Sequence, residues 1–181
     1  MSSKSSLFTI GHSTRAAAEF LDLLAEADIE LLIDVRRQPY SRRHPHFGRE
    51  ALQQSCAAAG IRYRHAEDLG GHREPLPDSP NLGLVGAMRG YADHTRSPAF
   101  EREVERVLHE ARTQRVALMC AEAKPDECHR RILSDYLATQ GHTVTHLLTA
   151  GQRADHEPDP ALTRDAQGHL IWRPRQRHLF D

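Results

Sequence analysis

Apolar positions along this chain of 181 residues follow two spacings. Short continuous runs, "LFTI", "LLIDV" and "VALMC", predict strands buried on both faces. "IRYRH" and "TVTHLLT" predict two more. Between the strands, apolar residues recur every three or four positions, as on one face of a helix. Phe20, Leu23, Leu24 and Ala27 form one such face, with Ser13 or Thr14 as its cap. Leu52, Cys56 and Ala59 form a second, stopped by Gly60. "GLVGAMRGYADHT" predicts a short third helix. The fourth is the strongest: Ser97 suits the N-cap, Pro98 the first helical position, and Phe100, Val104, Val107, Leu108 and Ala111 the buried stripe. "PDECHRRILSDYLATQG" predicts a fifth helix, ended by Gly141.

Strands alternating with helices predict an α/β fold: a mostly parallel sheet of about five strands, flanked by helices on both faces. One domain is expected over residues 1–150. Residues 151–181 are polar and Pro-rich, a tail that either packs back or carries a docking peptide. No internal repeat is visible.

Composition removes several classes. Lys and Arg total 24 against 25 Asp and Glu, so no global field draws the chain to polyanions. Three cysteines are too few for a disulfide framework, and free thiols suit a reducing compartment. "MSSKSSLFTIGHS" has no long apolar run, so neither a leader nor a membrane span is expected there, and the protein reads as cytoplasmic.

The charge is nevertheless uneven. From Val35 to Arg49 there are five arginines, two histidines and no acid. Its prolines disfavour a helix, so this is an extended loop leaving a strand end. Arg36, Arg37, Arg42 and Arg43 supply planar guanidinium forks suited to phosphate, with Tyr40 and Phe47 as stacking surfaces for bases. An exposed loop made soluble by charge is the plainer alternative.

In open parallel sheets, ligands bind outside the carboxyl ends of the strands. The residues expected there include His12 and Ser13; Asp34, Arg36 and Arg37; His65; and Cys120 and Glu122. Asp34 either holds Arg36 or acts as a catalytic carboxylate, and Glu122 has the same two readings. "IGHST" is an anion cradle before a helix or only a capped turn. "LGGHR" allows a close backbone approach or is only a turn.

"CAEAKPDECHRR" concentrates the chemistry. Pro125 suits a first helical turn, which places Cys128 in that turn. A helix N-terminus lowers a thiol pKa, and His129 and Arg130 add positive charge. Asp126 and Glu127 oppose it. Cys120 and Cys128 are therefore wall residues, a nucleophile, or a metal-binding or disulfide pair. Seven residues separate the thiols and no second pair exists, so no metal is expected. No cofactor is expected either.

"TIGHSTR", "LLIDVRRQPYSRRHPHF", "IRYRHAEDLGG", "GYADHT" and "ALMCAEAKPDECHRRILSDYL", in this order, resemble a bacterial and archaeal family, the domain of unknown function DUF488. The resemblance covers residues 7–148, with a looser match beyond. It implies the α/β fold and a single site built from these motifs, and it supplies no activity.

The end of the chain, "QRHLF", looks like the peptide by which bacterial repair and replication proteins dock on the DNA sliding clamp, anchored by Gln176, Leu179 and Phe180. Packing of Leu179 and Phe180 on the domain is the alternative. The leading expectation is an enzyme acting on nucleic acid or a nucleotide, in DNA repair for example. Arg36, Arg37, Arg42 and Arg43, with Ser13, His65, His129 and Arg130, would hold phosphate or substrate. Asp34, Glu122, His12 and Cys120 or Cys128 would supply acid, base or nucleophile. A non-catalytic binding module and a thiol-dependent enzyme for a small anionic substrate are the alternatives.

Overall fold

A computed structural model describes residues 4–175. Among the described residues, eight strands and five α-helices follow one another as β1 (Ser6–Gly11), α1 (Ala17–Glu26), β2 (Leu31–Asp34), α2 (Arg49–Ala58), β3 (Arg62–His65), α3 (Gly86–His94), α4 (Pro98–Glu110), β4 (Val116–Cys120), α5 (Arg130–Thr139), β5 (Thr143–Thr149), β6 (Gln152–Asp155), β7 (Leu162–Arg164) and β8 (Leu170–Trp172). Six strands form one sheet in the order β3-β2-β4-β1-β5-β6. The first five in that order run parallel, and β6 adds antiparallel to β5.

The alternation along β2 shows how the two faces are filled. Leu31 and Ile33 join one core with Phe100, Val104, Ile132 and Leu133 of α4 and α5. Leu32 joins the other with Phe20, Leu24 and Leu52 of α1 and α2. The continuous apolar run is thus explained by helices on both sides. Ser97 caps α4 as its sequence suggests, its Oγ accepting from Phe100 N–H at 3.2 Å.

The layering positions the site. β4 lies between β2 and β1. The helices that follow β1 and β2 pack on one face, whereas α5, which follows β4, packs on the other. Chains leaving adjacent strands in opposite directions open a crevice at the strands' carboxyl ends. Register keeps those ends level, with Gly11 opposite Cys120, and Asp34 opposite both Met119 and His65.

Two local expectations change. Neither Ser13 nor Thr14 caps α1, whose N-cap is Ala16 without a side-chain bond. Ser13 has φ 47 and donates its N–H to Ala121 O, so this turn is spent on bridging to the segment after β4. The helix expected across "PDECHRR" is broken. Residues Pro125–Glu127 form a single 3-10 turn, Cys128 is extended at φ −141, and α5 starts at Arg130. Beyond Gly151 the chain contributes β6 and the β7–β8 hairpin. Trp172 is 1% exposed, and its Nε1–H donates to Asp135 Oδ2 at 2.8 Å, which ties the hairpin to α5. "QRHLF" lies outside the described residues. Among the described residues no helix is long and apolar enough to cross a membrane.

Candidate active-site cleft

A cavity of about 570 Å³ opens at the carboxyl end of β4. Its floor carries Cys120, Cys128 and His129, and its walls carry Arg36, Arg37, Tyr40, His72, Glu122 and Glu127.

Arg36 is 6% exposed, and its geometry accounts for Asp34. Asp34 Oδ1 accepts from Arg36 N–H at 3.1 Å and Nε–H at 2.9 Å. Oδ2 accepts from Arg36 Nη2–H and from Tyr63 O–H, both at 2.7 Å. The carboxylate is fully engaged and completely buried, so it holds the guanidinium against the cleft wall. Burial alone would lower the Arg36 pKa, but the hydrogen bonds and charge of Asp34 raise it. His12 lies behind the same arginine, 3.4 Å from Nη1, with its ring stacked on Phe47. Burial brings His12 down to about 4, so it is neutral, donating Nδ1–H to Ser13 O. His65 meets Arg36 O at 2.8 Å. His12, Asp34 and His65 therefore support the cleft from behind, and none of the three lines it.

The floor is held differently. The two thiols are coupled. A hydrogen bond with Cys128 holds the Cys120 pKa at about 7 against burial, helped by the Arg130 charge and the N–H groups of Ala121 and Glu122. The same bond, with burial, raises Cys128 well above the ordinary thiol value. Arg130 is 1% exposed and gives Cys128 Sγ two donors, its backbone N–H at 3.3 Å and its Nε–H at 3.2 Å. Its remaining N–H groups go to Thr9 Oγ1, Glu122 O and Ala123 O. Arg130 is thus a buried brace of the thiol floor and is not an open phosphate fork. Burial lowers the His129 pKa, and its Nε2–H donates to Val35 O at 2.9 Å. The Nδ1 lone pair then faces Cys120 Sγ at 3.8 Å.

Two glycines set the close packing. A Cβ at Gly11 would sit 1.7 Å from Glu122 O, so only glycine lets the segment after β4 cross the end of β1. A Cβ at Gly71 would stand 2.7 Å from His129 Nδ1. The close approach that "LGGHR" allows is thus toward the site's own histidine.

Arg37 is exposed on the cleft wall, with one N–H donated to His72 O at 2.9 Å. Glu122 is exposed there too. Arg42 and Arg43 are exposed on the same loop but do not line the cavity. Ser13 is set apart from it as well.

A family model described as a domain of unknown function, DUF488, matches residues 16–137. The chain belongs to the DUF488 family. The matched span of this DUF488 chain holds every wall and floor residue named above, from Arg36 to His129. No curated protein and no solved structure matches it.

Sequence reasoning flagged "LGGHR" and Glu127 but assigned neither His72 nor Glu127 to the cleft wall, because both come from loops whose direction no local pattern fixes. It also missed a buried chain behind the floor. Thr9 Oγ1 meets His146 Nδ1 at 2.6 Å, His146 Nε2 meets His156 Nδ1 at 3.0 Å, and His156 Nε2 meets Asp135 Oδ1 at 2.8 Å. One signal was present, because Asp135 stands three residues after Ile132, on the apolar side of α5.

Proposed function

We propose that the protein is an enzyme acting on a nucleotide or on an end of a nucleic-acid strand. A ligand phosphate sits against Arg37, a base stacks on Tyr40, and the reacting atoms lie over Cys120, Cys128 and His129. Glu122 and Glu127 are the carboxylates in the cleft available for proton transfer.

The observation that carries this reading is the loop after β2. It lines the cleft with Arg37 and Tyr40, the latter 69% exposed, and runs on to Arg42 and Arg43. None of the three arginines has a carboxylate partner among the described residues. Unpaired guanidinium groups beside an exposed aromatic ring suit phosphate and base together. The test is titration with a fluorescent single-stranded oligonucleotide and with a nucleoside triphosphate over a range of salt. The R42A/R43A variant should bind the oligonucleotide more weakly, and its salt slope should fall by roughly 0.7 for each arginine removed. Unchanged affinity and slope would remove the loop from the reading.

The position of Cys120 supports a second reading, a thiol-dependent enzyme for a small anionic substrate. Cys120 lines the same cavity as Arg37. Loss of turnover on alkylation of Cys120 alone, with oligonucleotide binding absent, is the outcome that selects it.

A further inference from the structure

We propose that Cys120, Cys128 and His129 are three ligands of a zinc ion whose fourth position opens on the cleft. Their donor atoms, two sulfurs and Nδ1, all lie within 4.8 Å of one another, and all three residues are buried. Tetrahedral zinc, with Zn–S of about 2.3 Å and Zn–N of about 2.0–2.1 Å, holds sulfur and nitrogen roughly 3.6 Å apart. Cys120 Sγ and His129 Nδ1 stand at 3.8 Å. The ion needs only a small contraction of the pair.

The surroundings match those of a metal site. A ligating histidine commonly donates its other ring N–H to an oxygen, which fixes the tautomer and the ring. His129 Nε2–H donates to Val35 O. Thiolate ligands are stabilised by N–H donors, and Cys128 Sγ has two from Arg130. Gly71 leaves the space beside Nδ1 that a Cβ would fill. Two thiolates neutralise the divalent charge, and soft sulfur with imidazole nitrogen suits zinc. Three protein ligands with the fourth side on a cavity is the pattern of a catalytic centre, in contrast to the closed four-ligand structural site.

Spacing along the chain argues against metal because it counts paired cysteines. Here β4 supplies one thiol, and the break before α5 supplies the second thiol and the imidazole. A zinc ion held there supplies a Lewis acid to a phosphoryl or carbonyl oxygen in the cleft. The zinc site does not depend on a nucleotide being the ligand.

The test uses full-length protein without a histidine tag. It is reconstituted with zinc under reducing conditions, dialysed, and analysed for metal and free thiols. One equivalent of zinc is expected. Cobalt in place of zinc should give the near-ultraviolet thiolate charge-transfer band and the visible bands of a tetrahedral ion. C120S, C128S and H129Q should each weaken zinc binding by about 100-fold or more, because even outer partners of a ligand are worth 10–100-fold. R42A, on the exposed loop, should keep full zinc. Less than about 0.1 equivalent in the wild type, or a cobalt spectrum without the thiolate band, overturns the site. So does zinc retained equally by the three ligand variants. The wild-type measurements decide the matter if a variant fails to fold. Because zinc is measured without nucleotide, loss of oligonucleotide binding leaves this result untouched, and the reverse holds too.

Discussion

Arg130 Nε donates to the sulfur of Cys128 at 3.2 Å, and Arg130 Nη1 donates to Thr9 Oγ1 at 3.1 Å. One buried guanidinium thus joins the thiol floor to β1 and, through Thr9, to the chain His146–His156–Asp135. Lysine keeps the charge but cannot present this fork. R130K should destabilise the protein by about 2–4 kcal/mol in urea unfolding, since several charge-assisted bonds are lost at once. A change within about 0.5 kcal/mol, the ordinary range for a surface substitution, would show that the brace is unimportant.

The Asp34–Arg36 pair makes a cleaner energetic case. Both side chains are buried, and D34N removes the charge that compensates the guanidinium. Breaking one side of a buried pair costs about 3–5 kcal/mol. The double variant D34N/R36M should recover part of that loss, because no charge is then left unpaired. A double variant less stable than D34N would contradict the pairing argument.

Acid should weaken the fold through two histidines. Burial brings both His12 and His146 from 6.5 down to about 4 in the folded chain. Between these values the unfolded chain binds more protons than the folded one. Stability is therefore full above about pH 6.5 and falls as pH drops toward 4, by roughly 1.4 kcal/mol per pH unit for each histidine. H146Q should show a shallower decline of melting temperature across this window. An equal slope in H146Q and the wild type would assign the acid sensitivity elsewhere.

Trp172 anchors the C-terminal hairpin. W172F keeps most of the buried ring but removes the donor to Asp135 Oδ2. The expected cost is about 1–3 kcal/mol, the penalty for a buried acceptor that loses its partner. Hydrogen exchange should speed up across β7 and β8 before it does so in β1 or β4. Uniform acceleration over the whole chain would show that the hairpin is not a separate unit.

The pattern of apolar runs and helical stripes was enough to specify the parallel sheet, its two helical layers and the strand-end placement of Arg36, Cys120 and Glu122. Those features depend on continuous apolar runs and on a period of 3.6 residues, which are local properties of a chain. The Ser97 cap and the Phe100 to Val107 stripe were legible for the same reason. Which groups face the cleft was decided by distances across the fold. Asp34 and Glu122 look alike in the sequence, yet one is consumed by Arg36 and Tyr63 while the other stays exposed. Cys128 stands outside the expected helix, on the segment that crosses Gly11 after β4, and its sulfur meets Arg130 and lies near Cys120. Trp172 and Asp135 are 37 positions apart, and no local pattern links a tail residue to a helix that far upstream. Sequence periodicity records which side of an element is buried. Only the packed structure determines what each buried polar group meets there.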